Sequence, residues 1–246
     1  MNNYLLEIEY DGTSYVGWQY QKNGISIQEK IEIALKKILK KKIKIIGAGR
    51  TDKGVHASGQ KANFKIEKKI ENERKFIDTI NFFLKNSSIS VLNLKKKNLS
   101  FNARHSAKER TYTYCIINRV APLTLDKNSA WHIKKRIDLN LLKKGGKILE
   151  GRHDYSTFRA SSCSAISPIK KINSVKIKKI DNKIFITFKS KSFLQNQVRS
   201  MVGCLEKLST NKWSLQKFKN VFKSKKRSDC AAPAPAHGLF LKKIRY

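Results

Sequence analysis

The hydrophobic period of this chain switches between two and 3.6 residues, over short stretches, from one end to the other, and that switching dictates how it can fold. Tyr4, Leu6, Ile8 and Tyr10 alternate with Leu5, Glu7 and Glu9, the pattern of a strand with one buried face. A turn-rich "DGTSYVGWQYQKNG" follows, and then Ser26 and Glu29 stand at the spacing of a capping box. Behind them Ile27, Ile31, Ala34, Leu35, Ile38 and Leu39 recur at helical spacing. The same reading predicts strands over 42–46 and 60–66, a helix over 71–83, and strands over 89–94 and 109–117. Asp138 caps a helix running through Leu149, with Gly151 just past its end, before strands at 172–178 and 183–189. Two amphipathic helices come next, one lined by Val198, Met201, Val202, Leu205 and Leu208 and the other by Leu215, Phe218, Val221 and Phe222. A strand over 238–244 closes the chain.

Strands and helices alternate without the regular strand-helix repeat of a doubly wound parallel sheet. The expected fold is therefore α/β of the α+β type: two similar halves, each a mixed, largely antiparallel sheet flanked by helices, with a basic active-site cleft between them. The polar "FNARHSAKER" is the expected crossover, giving halves at 1–105 and 106–246. With 246 residues the chain has enough length for a sizeable core, as one large domain or two small ones.

Charge narrows the partners. Fifty-three Lys and Arg stand against 18 Asp and Glu, a formal net charge of +35, which draws in polyanions and releases their counterions on contact. Nucleic acid is the leading partner, although lysine, isoleucine and asparagine together are also abundant in proteins of AT-rich genomes. Cys115, Cys163, Cys204 and Cys230 have no short paired spacing, so they are expected as reduced, buried thiols with no zinc or redox motif. No apolar run approaches membrane-spanning length, so a cytoplasmic protein without a membrane partner is expected.

The densest turn chemistry lies in "GAGRTDKGVHASGQ", residues 47–60. It lacks a dinucleotide-binding spacing, and it lacks a lysine followed by a hydroxyl residue, so both nucleotide-loop readings fail. Two readings remain. In one, Gly47, Gly49, Gly54 and Gly59 permit tight turns and Asp52 bonds its own turn. In the other, Arg50 and Lys53 keep Asp52 ionised as a nucleophile toward a sugar carbon of RNA. Hydrolysis would call for a second carboxylate, which the motif does not offer. His56 fits a turn-stabilising hydrogen bond better than a proton shuttle.

"GAGRTDKGVHASGQ" closely resembles the catalytic motif of the tRNA pseudouridine synthase A (TruA) family. The resemblance extends through "YDGTSYVGWQYQ", "FNARHSAKERTYTYCI", "HDYSTFRA", "FLQNQVRSMVG" and "APAHGLFL", so it spans essentially the whole chain. It implies an isomerase with no cofactor and no metal that converts uridine to pseudouridine at positions 38, 39 and 40 of the tRNA anticodon stem-loop as a homodimer. It implies Asp52 as the nucleophile, Tyr112 in contact with the target base or sugar, Arg50 as a further substrate-binding residue, and Arg199 as the partner of the aspartate. A non-catalytic basic RNA-binding protein would gain nothing from an anion in a phosphate-binding cleft. An RNA glycosidase would release free uracil instead of pseudouridine.

Overall fold

The computed structural model describes residues 1–246. In chain order its first elements are β1 (Asn2–Tyr10), α1 (Ile27–Leu39), β2 (Ile46–Gly47), β3 (His56–Ile66), α2 (Glu73–Leu84) and β4 (Ile89–Lys97). These are followed by β5 (Glu109–Asn118), β6 (Trp131–Ile133), α3 (Leu139–Ile148), β7 (Gly151–Asp154), β8 (Ile169–Ile180) and β9 (Lys183–Ser190). The chain ends with α4 (Gln197–Ser209), α5 (Leu215–Ser224) and β10 (Leu239–Arg245). Two compact units result, one of residues 1–108 and 240–246, the other of residues 109–239.

In the first unit the strand order is β4-β1-β3-β10, with β2 on β3. β1 is antiparallel to both β3 and β4, whereas β10 lies parallel to β3. The alternation read in β1 is present, since Tyr4, Leu6, Ile8 and Tyr10 are all buried, and Leu5 is buried with them. The capping box also forms: the Glu29 amide donates to the Ser26 hydroxyl at 3.2 Å, and the Ser26 amide donates to the Glu29 carboxylate at 3.4 Å. That start sets the phase at which Ile27, Ile31 and Leu35 face the core, each burial contributing roughly 1.5–3 kcal/mol. α2 starts from Asn72, whose side chain accepts the Lys75 amide, and packs on β4 and α1.

The strand expected over 42–46 is not there; only Ile46–Gly47 pairs with β3. Ile43 and Ile45 do alternate inward, which produces the pattern. Their backbone is held from α1 instead, because the Ile45 amide donates to the Glu32 carboxylate at 3.0 Å. A side chain has taken the place of a ladder partner.

In the second unit the order is β5-β9-β8-β7, with β6 parallel to β5 at its far edge. All pairings among β5, β9, β8 and β7 are antiparallel, and a register shift interrupts β8 between Ile172 and Ser174. Asp138 caps α3 by accepting the Asn140 and Leu141 amides at 2.8 and 3.0 Å. α3 then packs on β8, α4 and α5, and the rings of Tyr155, Phe158 and Phe222 cluster within 6.4 Å of one another. Both units are thus mixed or antiparallel sheets with helices packed on them, the α+β class expected.

Candidate active site

Asp52 lies in the loop between β2 and β3, and its backbone is fixed on two sides. Thr51 accepts the Trp18 amide at 3.0 Å, and Gly17 and Asp52 form an isolated antiparallel bridge. The Val55 amide returns to the Asp52 carbonyl at 3.1 Å, closing a turn through Gly54, which has a φ of 76°. Below the aspartate the Thr51 and Tyr10 hydroxyls are hydrogen-bonded at 2.7 Å, both residues being buried. The Gln60 side chain holds the Gly49 carbonyl at 2.7 Å. Asp52 itself is half-buried, between Arg50 and Lys53, which are exposed.

Of the glycines in the sequence motif, only Gly54 has a positive φ. The sharper requirement is at Gly17, outside the motif. Its φ is 119°, and a Cβ there would lie 2.7 Å from the Thr51 carbonyl oxygen. An L side chain is strained at that φ whatever the space, so the approach of the "YVGW" segment to the Asp52 loop requires glycine.

His56, the first residue of β3, has the turn-stabilising role expected of it. It is 3 % exposed and stacks on Phe240 with ring centroids 4.7 Å apart. Its Nδ1 accepts the Gly12 amide at 3.1 Å and lies 3.2 Å from Asp11 Oδ1. Burial alone would raise the Asp11 carboxyl, but the Thr13 hydroxyl and amide, together with His56, hold it below its ordinary value. Tyr10, Asp11, Gly12 and Gly17 contact the Asp52 loop and His56 and were not singled out by the motif alone. Their signal was the neighbouring "YDGTSYVGW", in which turn-forming residues directly follow a strand.

Tyr112 and Arg199 belong to the second unit. Tyr112 sits on β5 opposite Phe188, is 7 % exposed, and meets the Phe193 ring edge to face at 5.2 Å. Tyr114, on the same face two residues on, is a core residue. Its hydroxyl donates to the Pro235 carbonyl at 2.8 Å, and burial pushes its phenol far above the usual range despite the nearby Arg199 charge.

Arg199 is half-buried in the first turn of α4. Its Nε donates to the Ala234 carbonyl at 2.8 Å and its Nη1 to Asn196 Oδ1 at 3.3 Å. The Ala234 amide in turn donates to the Arg199 carbonyl at 2.9 Å. Asn196, immediately before the helix, has a left-handed φ of 59°, a conformation asparagine tolerates better than most residues. The guanidinium is therefore aimed by the chain itself.

No group of three or more His, Cys, Asp or Glu is placed to hold a metal ion. No helix is long and apolar enough to cross a membrane.

The family model described as tRNA pseudouridine synthase matches residues 7–106 and 147–246. The tRNA pseudouridine synthase A of Pelagibacter ubique (strain HTCC1062) is 56% identical over 246 residues, all of both chains. That of Beijerinckia indica is 42% identical, over 100% of this chain and 94% of the relative. That of Wolbachia pipientis wMel is 41% identical over 99% of each. The fold and these matches define an RNA-modifying isomerase. The chain belongs to the tRNA pseudouridine synthase family, and its reaction is the isomerisation of uridine in tRNA.

Proposed function

We propose that this enzyme forms pseudouridine in the anticodon stem-loop, at positions 38, 39 and 40, with Asp52 as its nucleophile and with two copies of the chain acting as a cytoplasmic homodimer. The observation that carries this reading is the backbone clamp on Asp52: a bridge to Gly17 on one side and the Val55 amide on the other. A carboxylate that only closed its own turn would not need its loop held to a second segment. Pre-organisation of that kind is what a reacting group needs, because geometry fixed before substrate arrives need not be reached during the reaction.

In the reaction the bond from uridine N1 to C1′ breaks, the base turns while still held, and C5 joins C1′. C5 loses its proton and N1 ends protonated, so the atoms balance and no cofactor is consumed. The carboxylate either attacks C1′ directly or assists removal of the 2′ proton, and both routes use Asp52. Reaching the base requires flipping the nucleotide from its stack, at a cost of a few kcal/mol. Phosphate contacts from a surface carrying a net charge of +35 offset that cost.

Tyr112 contacts the target base or sugar in this reading, and its confined ring, set against Phe193, suits a group that must hold one face of a substrate. Arg199 partners the carboxylate, and its fixed guanidinium suits that role. Arg50 is exposed and binds substrate, as a phosphate contact.

The test is positional. tRNA transcripts labelled with tritium at uridine C5 are incubated with the enzyme, and tritium release is mapped by position. Release confined to uridines 38–40 supports the reading; release from another stem or loop, or the appearance of free uracil, contradicts it.

A further inference from the structure

Two thiols with no part in the proposed reaction lie in direct contact. Cys204 is fully buried in the middle of α4, and Cys230 is partly exposed just after the short turn Arg227–Asp229. Their Sγ atoms are 3.4 Å apart. The pair is invisible in the sequence, because 25 residues separate its members and no spacing motif links them.

The two sulfurs are not equivalent. The hydrogen bond with Cys230, followed by burial, pushes the Cys204 thiol far up. That same hydrogen bond holds the Cys230 thiol below its ordinary value against the effect of burial, and the Arg227 charge adds to it. Cys230 is thus both the more accessible sulfur and the one with more thiolate character, the combination that governs reactivity toward oxidants.

We propose that Cys230 and Cys204 are a peroxide-reactive dithiol, and that closing their disulfide lowers turnover by displacing the segment that supports Arg199. The Cys230 thiolate attacks one peroxide oxygen; the O–O bond breaks, hydroxide leaves, and sulfenic acid forms. The Cys204 sulfur, losing its proton, then attacks the Cys230 sulfur; the S–O bond breaks and water leaves. Hydrogen peroxide is reduced to two waters and the thiol pair is oxidised by two electrons.

The consequence for α4 follows from contact. A disulfide bond is about 2.05 Å long, so the sulfurs must approach by more than 1 Å from their 3.4 Å separation. The segment after Cys230 has little room to absorb this, since a Cβ on Gly203 would already lie 2.1 Å from the Ala232 carbonyl oxygen. Two residues further on, Ala234 holds both the Nε and the backbone carbonyl of Arg199. Displacing Ala234 re-aims the guanidinium. This effect on turnover rests on the proposed role of Arg199, whereas the cross-link does not.

The test treats the full chain with a small excess of hydrogen peroxide, alkylates the remaining thiols, maps unreduced peptides by mass spectrometry, and follows turnover on tRNA. The expected result is a peptide linking Cys204 to Cys230, with turnover reduced several-fold and restored by dithiothreitol. Cys230→Ser is expected to give no cross-link and peroxide-resistant turnover, and Cys204→Ala to leave a sulfenic acid on Cys230 that dimedone traps. Oxidation of Cys115 or Cys163 while this pair stays reduced would overturn the proposal, as would a complete cross-link with unchanged turnover. Arg199→Lys, assayed alongside, separates the two ideas. If it alone retains full turnover, the role of Arg199 fails while the peptide map still reports on the thiols.

Discussion

The Tyr10 and Thr51 hydroxyls, 2.7 Å apart and buried, join the last residue of β1 to the residue immediately before Asp52. The first strand therefore supports the loop that carries Asp52. Tyr10→Phe removes one partner and leaves a buried Thr51 hydroxyl without that bond, at a cost of about 1–3 kcal/mol. Thermal or denaturant unfolding is expected to show that loss. Turnover should fall while tRNA affinity stays unchanged; a variant of wild-type turnover would mean that the loop holds its position without this bond.

Gly17 makes a stricter demand. With φ at 119° and the Thr51 carbonyl 2.7 Å from any Cβ, Gly17→Ala combines backbone strain with a clash against backbone. It should destabilise the fold by more than about 1 kcal/mol and reduce turnover more than Tyr10→Phe does. Gly49→Ala, at a position whose φ is not left-handed, is the comparison and should cost less in unfolding experiments.

Asp11 sets an acid limit on the same region. Its folded carboxyl is held below its ordinary value of 3.8. The stabilisation is fully present above that value and is lost as pH falls through the lower folded value. Stability measured between about pH 5 and pH 2 should therefore decline less steeply in Asp11→Asn than in the parent chain. An identical decline in both would show that Asp11 makes no such contribution.

Much of this was legible in the sequence, and the failures share a cause. Ser26 with Glu29, and Asp138, announced helix starts because a cap is a local contract between residues two or three apart. The segment at 42–46 misled because alternation reports burial, not a ladder partner, and Glu32 had taken the Ile45 amide. β3 begins at His56, four residues before the strand predicted at 60, within a glycine-rich stretch that reads as a turn. Its pairing there comes from Tyr10 on one side and from Phe240 and Leu241 on the other, all far away along the chain. β6 and β7 are too short to show a period, and their partners are likewise distant. In the candidate site the resemblance pointed to Asp52, Tyr112, Arg50 and Arg199. The supporting contacts of Tyr10, Gly17 and Asn196 required coordinates, because they depend on where separate segments meet.

Arg199→Lys keeps a positive charge but loses the planar fork, and with it the arrangement of Nε on Ala234 and Nη1 on Asn196. Turnover is expected to drop by about tenfold, equivalent to about 1.4 kcal/mol, with the fold and most RNA affinity retained. Unchanged turnover combined with a salt slope lower by about one would identify Arg199 as a phosphate contact instead.

If the carboxylate of Asp52 performs the chemistry, Asp52→Asn should abolish turnover, because it removes the charge and nucleophile with almost no change in shape. The measurement is single-turnover tritium release from C5-labelled tRNA, with tRNA binding measured on the same preparation. No release above background is expected, with binding within several-fold of the parent, since one carboxylate contributes little to a chain with a net charge of +35. A variant that binds normally and retains a tenth or more of the activity would contradict that role for Asp52.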